Sequence, residues 1–164
     1  MPPSILARIR KNHALEHATL HMLEQGPLPG PVAAHSDWNG ITFYGRVDRD
    51  VLCRALTRAL SALQAGESHL ALHSRCGSTI AVPVLSGLII GLLLHHMSHT
   101  TRKESASALT LAGVLSPLLC AEPLALGAQK QLLTDPHVGS AELLTLRTLS
   151  FGRITLHRAA IGYR

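Results

Sequence analysis

Three histidines lie four positions apart near the beginning of the sequence, in the segment NHALEHATLH of residues 12–21. Four residues are close to one turn of an α-helix, so His13, His17 and His21 would project from a single stripe of it. Two imidazoles one turn apart can bind one metal ion, and a neighbouring carboxylate such as Glu16 can accept a proton from metal-bound water. The spacing therefore predicts either a metal site or an unusual helix core.

The pattern formed by His13, Glu16 and His17 is H-x-x-E-H, the reversed zinc motif of the inverzincin peptidases. Nothing in this sequence matches the long helical domain and the distant glutamate ligand of those peptidases. Catalysis is therefore left open, with Glu16 as the candidate catalytic base.

Further ligands are predicted in the segment LHSRCG, where His73 and Cys76 have H-x-x-C spacing at the end of a predicted strand. If the histidine helix packs on that strand, His13, His17, His73 and Cys76 can bind one zinc ion, which accepts mixed imidazole and thiolate ligands. Four protein ligands would give a structural site, whereas three would leave a position open for catalysis. The alternative is that the histidines are buried, hydrogen-bonded side chains or surface groups that contact lipid phosphate.

Local sequence signals predict a small α+β domain around these residues. A helix is expected from its N-cap Ser4 to about Gln25, and a second helix follows the cap residue Asp48. Strands are predicted over residues 32–47 around an Asn39-Gly40 turn, over residues 69–76, and over residues 142–161 around a Phe151-Gly152 turn. We expect the last pair to join the earlier strands in one sheet, because an isolated β-hairpin is marginally stable in water.

Two apolar runs occupy the middle of the chain, over residues 79–97 and 106–126. A bilayer span requires about 20 apolar residues, with a lower limit near 17, so the runs favour a transmembrane helical hairpin over a pair of buried helices. The predicted fold class is α+β, a small sheet with two helices that is interrupted by a two-helix transmembrane hairpin. The expected parts are an amino-terminal α+β part (1–78), the hairpin (79–128) and a carboxy-terminal β-hairpin that completes the same domain (129–164).

The composition indicates a membrane protein rather than a nucleic-acid-binding protein. Charged residues make up 15% of the chain and aromatic residues 3%, and the net charge is +5. Nucleic-acid-binding proteins concentrate basic residues and interleave aromatic ones, so an anionic lipid bilayer is the better partner for this excess. The three cysteines form no disulfide pattern, and no signal peptide is expected, because the first residues contain no apolar stretch long enough for one. The expected location is the cell membrane, multi-pass, with the soluble domain in the cytoplasm.

The segments RIRKNHALEHATLHML and LQAGESHLALHSRCGS resemble an uncharacterised bacterial membrane-protein family of unknown function. Its members open with N-H-A-L-E-H-A-T and carry an A-V-H-x-x-C-G-T-like strand and two membrane spans. Ser78 stands in this sequence where the family pattern has threonine. The resemblance implies an architecture but no activity.

Two functions from different classes remain open. The first is a membrane-anchored metal-binding protein, with zinc as the expected ion, which could act as a small metallohydrolase through the H-x-x-E-H motif. The second is a non-catalytic accessory or assembly subunit of a membrane complex, whose small residues at positions 86, 87, 91, 112 and 113 permit close approach of partner helices. Whether the protein is an enzyme is not determined by the sequence.

Overall fold

Helix α1 spans Ile5–Glu24 in the computed structural model of the protein, which describes residues 3–97, 103–151 and 154–164. It begins as predicted, because the Ser4 hydroxyl accepts a hydrogen bond of 3.3 Å from the amide of Ala7. The chain divides into two compact units, residues 1–73 with 130–164 and residues 74–129. The first unit contains α1 and the sheet, and the second contains the two apolar runs.

The sheet of the first unit has four antiparallel strands in the order β1-β2-β4-β3. The strands are β1 (Ala33–Asp37), β2 (Gly40–Tyr44), β3 (Ala141–Phe151) and β4 (Ile154–Tyr163). Strand β4 pairs with β2, with Phe43 opposite His157, so the prediction that the carboxy-terminal hairpin joins the earlier strands is confirmed. The predicted turn residue Gly152 lies outside the described residues.

The loop between β1 and β2 lies one position earlier than the predicted Asn39-Gly40 turn. Asp37 pairs with Gly40, so the loop consists of Trp38 and Asn39. Gly40 has φ +151°, and a Cβ on it would lie 2.0 Å from the carbonyl oxygen of Ala159 in β4. Glycine is therefore required at this position because a neighbouring strand passes so close to it.

Helices α1 and α2 (Arg49–Gln64) pack against each other and against the sheet. The carboxylate of Asp48 caps α2 by accepting hydrogen bonds from the amides of Asp50 and Val51, as the sequence predicts. Buried Asn12 joins α1 to two strands of the sheet, since its side chain donates to the Asp37 carbonyl in β1 and accepts from the Tyr163 hydroxyl in β4. The core includes Ala14, Leu15, Ala18, Ile41, Phe43, Leu52, Leu56, Ala59, Ala159 and Ile161.

The predicted strand over residues 69–76 is wrong. Ser68–Ala71 form a 3₁₀ turn that packs on α1, and Leu72 continues it with extended backbone angles. The carbonyl oxygens of Ala71 and Leu72 accept hydrogen bonds from histidines of α1 instead of from a neighbouring strand. Because histidine side chains already donate to these carbonyl groups, pairing with a neighbouring strand is not needed to satisfy them.

The second unit contains helices α3 (Ser78–Met97), α4 (Lys103–Leu119) and α5 (Ala121–Ala128). Glycines allow α3 and α4 to approach closely: a Cβ added to Gly87 would lie 2.3 Å from the carbonyl oxygen of Val114. A Cβ added to Gly113 would lie 2.4 Å from a methyl carbon of Leu94. These small residues, which the sequence assigned to contacts with partner helices, are used in the packing of α3 on α4.

One helix of the described residues, α3, is by itself long and apolar enough to cross a membrane, a criterion of length and composition alone. The second predicted arm, over residues 106–126, is wrong as a continuous span, because Ala108–Leu119 and Ala121–Leu133 are bent by 71°. Pro123 explains the break: it has no amide proton to donate to the Leu119 carbonyl, and its ring would clash with that carbonyl in a continuous helix. A two-helix transmembrane hairpin, and with it a multi-pass location, is therefore not supported.

Candidate metal centre

Two histidines of α1 are oriented by the carbonyl groups of the 3₁₀ turn. The Nδ1 atom of His17 lies 2.7 Å from the carbonyl oxygen of Ala71. The Nε2 atom of His21 lies 2.7 Å from the carbonyl oxygen of Leu72. A carbonyl oxygen can only accept, so these nitrogens carry the proton and donate it. In the neutral rings the opposite nitrogens, Nε2 of His17 and Nδ1 of His21, hold lone pairs.

His13 is oriented in the same way by the segment that follows the second unit. Its Nδ1 atom lies 3.1 Å from the carbonyl oxygen of Leu133. That segment is fixed to α1, because the Arg10 guanidinium donates to the carbonyl of Thr134 and Lys11 forms an ion pair of 3.1 Å with Asp135. Imidazoles that bind a metal usually donate their other ring N–H to a carbonyl or carboxylate, which fixes ring orientation and tautomer.

The rings of His13, His17, His73 and His21 follow one another in this order, and we call this set the histidine row. The ring centroids are 4.4 Å apart for His13 and His17, 5.8 Å for His17 and His73, and 4.7 Å for His73 and His21. Two imidazoles bound to one tetrahedral zinc ion, with Zn–N bonds of about 2.0–2.1 Å, have centroids roughly 5 Å apart. The spacing of neighbouring rings in the row is thus close to that of shared metal ligands.

Glu24 lies at the more exposed end of the histidine row. Its Oε1 atom is 3.3 Å from Nε2 of His73, and the two side chains are 34% and 4% exposed. Burial lowers the pKa of His73 below its ordinary value; Glu24 opposes this change, and the neighbouring His21 and His17 reinforce it. Burial therefore favours the neutral form of the His73 imidazole, which is the form that can bind a metal ion. One ligand atom from each of His21, Glu24 and His73 lies within 4.8 Å of the others.

His17 differs from a second buried histidine of the same unit. His157 in β4 is 1% exposed, and both of its ring nitrogens have partners, the Thr148 hydroxyl at 2.9 Å and the Val47 carbonyl at 3.0 Å. His17 is fully buried, yet its Nε2 atom has no hydrogen-bond partner among the residues that the structure describes. Buried polar atoms normally have a partner, so the two buried histidines differ in how their ring nitrogens are satisfied.

The residues predicted from the sequence are only partly brought together within the first unit. His13, His17 and His73 are members of the histidine row. Glu16, which directly precedes His17 in the sequence, is almost completely buried. Cys76 belongs to the second unit, and its role as a ligand stays a prediction from the H-x-x-C spacing. Sequence reasoning missed Glu24, although it follows His21 by three positions and therefore lies on the same helical stripe.

Comparison with known proteins agrees with the resemblance to an uncharacterised family. Residues 8–146 match the family described as Domain of unknown function (DUF6391). An uncharacterized protein of Picosynechococcus sp. is 37% identical over 86 residues, which cover 47% of this chain and 42% of the relative. The chain thus matches less than half the length of that relative. No solved structure matches the chain.

Proposed function

The chain belongs to the DUF6391 family, whose description names no activity, and we propose from the geometry of the histidine row that it is a membrane-associated zinc-binding protein. The ion binds at the inner part of the row, with His13 and His17 as ligands and His73 as the third. Neutral imidazoles oriented by backbone carbonyls suit zinc, which prefers nitrogen and sulfur ligands in a tetrahedral arrangement.

The buried Nε2 atom of His17 is the observation that carries this proposal. A buried polar atom without a hydrogen bond costs roughly 1–3 kcal/mol, and bonding to a metal ion removes that cost. Hydrogen bonding already explains His157, whose two nitrogens are both paired, so the contrast with His17 favours a ligand role over a core role.

Elemental analysis of the purified protein tests the proposal. We expect about one zinc ion per chain in the wild type and none in the His13→Ala/His17→Ala double variant, because zinc retention requires several ligands together. The matched control is His69→Ala, which removes an exposed imidazole from the 3₁₀ turn and should leave the zinc content unchanged. Circular dichroism verifies that each variant is folded. Equal metal content in the wild type and the folded double variant would refute zinc binding by these histidines.

Helix α3 is proposed as the membrane anchor. Only 17% of its apolar window is buried within the protein, and Leu88 and Leu92 are among its exposed side chains. We expect the protein to stay in the membrane fraction after alkaline washing. Leu88→Lys/Leu92→Lys should release it, because lysine in the middle of a membrane helix costs about 2.5–3.5 kcal/mol. Wild-type protein in the soluble fraction would exclude the anchor.

A further inference from the structure

The outer end of the histidine row contains a second set of metal ligands. We propose that His21, Glu24 and His73 form an outer metal position through which an ion enters and leaves the inner position of His13 and His17. This inference rests on the proposed zinc-binding function and adds a path for the ion.

The donor atoms of the outer position are already close to coordination geometry. Donors around a tetrahedral zinc ion with bonds of about 2.0–2.2 Å lie roughly 3.3–3.6 Å apart. The Glu24 Oε1 and His73 Nε2 atoms are 3.3 Å apart, and one ligand atom of each of His21, Glu24 and His73 lies within 4.8 Å of the others. An ion bound here would replace the proton that His73 donates to Glu24. The proton of His21 is on Nε2, where it donates to Leu72, so its Nδ1 atom is available.

The outer position contains the most exposed side chain of the set, that of Glu24. His21 is half-buried and the Glu24 side chain is 34% exposed, whereas His17 is completely buried. The carboxylate of Glu24 supplies a negative charge that attracts a divalent cation and helps to replace its hydration shell. An ion that arrives at this end of the row therefore meets Glu24 and His21 before it can contact His17.

His73 connects the two positions. Its ring centroid is 4.7 Å from that of His21 and 5.8 Å from that of His17. The same imidazole can thus bind an ion at either position, and the ion moves by exchanging ligands one at a time around His73. In this proposal the row holds one ion at equilibrium, and the outer position is occupied only in transit.

Metal exchange kinetics test the entry path with the metal alone as the probe. Metal-free protein is mixed with Co²⁺ and uptake is followed by visible absorption; release of the bound ion is then followed after addition of a chelator. We expect Glu24→Gln to slow both uptake and release by about tenfold or more, the scale of effects from altered ligand shells. The amount of metal bound at equilibrium should stay at about one ion per chain, because the inner ligands are intact.

The matched controls remove the same groups outside the row. Glu67→Gln changes an exposed glutamate next to the 3₁₀ turn, and His69→Ala removes an exposed imidazole of that turn; both should leave the two rates unchanged. His21→Ala should behave like Glu24→Gln. Parallel slowing of uptake and release at constant metal content supports the entry path.

Three results would overturn the inference. Unchanged rates in both Glu24→Gln and His21→Ala would exclude entry through the outer position. Loss of the ion from Glu24→Gln at equilibrium would place the resident ion at Glu24. Binding of two ions per chain at saturation would show a dinuclear site. Failure of the proposed function looks different, since the wild type would then bind no metal at all.

Discussion

The imidazole of His17 and the carbonyl group of Ala71, 54 positions apart in the chain, are joined by a hydrogen bond of 2.7 Å. This bond places the proton on Nδ1 and leaves the lone pair of the neutral ring on Nε2, which is buried without a hydrogen-bond partner among the described residues. The carbonyl groups of Ala71 and Leu72 therefore determine which ring nitrogen of His17 and His21 carries the proton. The same hydrogen bonds hold the 3₁₀ turn against α1.

Zinc should stabilise the folded protein through His17. At a free zinc concentration 100 times the dissociation constant, binding adds about 2.7 kcal/mol to the free energy of unfolding, which raises the melting temperature by roughly 5–10 °C for a chain of this size. Thermal unfolding with zinc and with chelator measures the difference. His17→Ala should show no such rise, whereas His69→Ala should show all of it. An equal rise in His17→Ala would contradict the assignment.

Glu16→Gln should retain the zinc ion. Glu16 is not among the ligands proposed here, and glutamine keeps its size while removing its charge and its ability to accept a proton. Elemental analysis should therefore give the wild-type zinc content, and any hydrolytic activity of the protein should be lost because the candidate general base is gone. A loss of zinc from folded Glu16→Gln would instead make Glu16 a ligand or a support of the site.

The elements that follow local rules were predictable from the sequence. The caps Ser4 and Asp48 define the starts of α1 and α2. The Asn39-Gly40 pair indicates the first β-hairpin, and alternating apolar residues indicate the second. The segment around His73 was not, since the choice between strand and 3₁₀ turn depends on which groups satisfy its carbonyls. Those groups are imidazoles of α1, more than 50 positions away, and no local pattern contains them.

The candidate site, like the fold, was only partly predictable from local sequence signals. The stripe of His13, His17 and His21 follows from helical spacing alone. The approach of His73 is a tertiary contact, and the pairing of its Nε2 atom with Glu24 depends on the path of the 3₁₀ turn. The bend between α4 and α5 was not predicted, although Pro123 removes a helical hydrogen bond there. Pro83 lies within α3 without ending that helix, so a proline in the sequence does not by itself determine where a helix breaks.

Asp37 should make the stability of the sheet dependent on pH. Burial tends to raise the pKa of its carboxyl group, but the Arg158 guanidinium at 2.8 Å and the amides of Asn39 and Gly40 outweigh this, so the pKa is lowered. The ionised carboxylate thus stabilises the fold above its unfolded pKa near 4, and this contribution is lost as the pH falls through the lower folded value.

The test of this effect is Asp37→Asn, which keeps an acceptor for the turn but removes the charge. We expect the free energy of unfolding to fall by at most about 1 kcal/mol at pH 7, because the carboxylate is 40% exposed and its ion pair is screened by solvent. The loss should shrink as the pH is lowered below about 4, measured by denaturant unfolding across pH. Asp50→Asn, at a side chain that is 73% exposed, is the control and should lower the free energy of unfolding by a smaller amount at pH 7. A loss in Asp37→Asn that does not vary with pH would exclude the electrostatic explanation.

Gly87→Ala should weaken the packing of α3 on α4. The added Cβ would lie 2.3 Å from the carbonyl oxygen of Val114, a backbone atom that cannot move away as a side-chain end can. Separating the helices to relieve this contact should cost about 1–3 kcal/mol, as for other overpacked interfaces. The measurement is the temperature at which half of the detergent-solubilised protein precipitates on heating. This temperature should fall by several degrees. Gly127→Ala is the matched control, since a Cβ there meets no atom within 4 Å and alanine favours the helix. If the two variants behave alike, close contact at Gly87 does not hold α3 and α4 together.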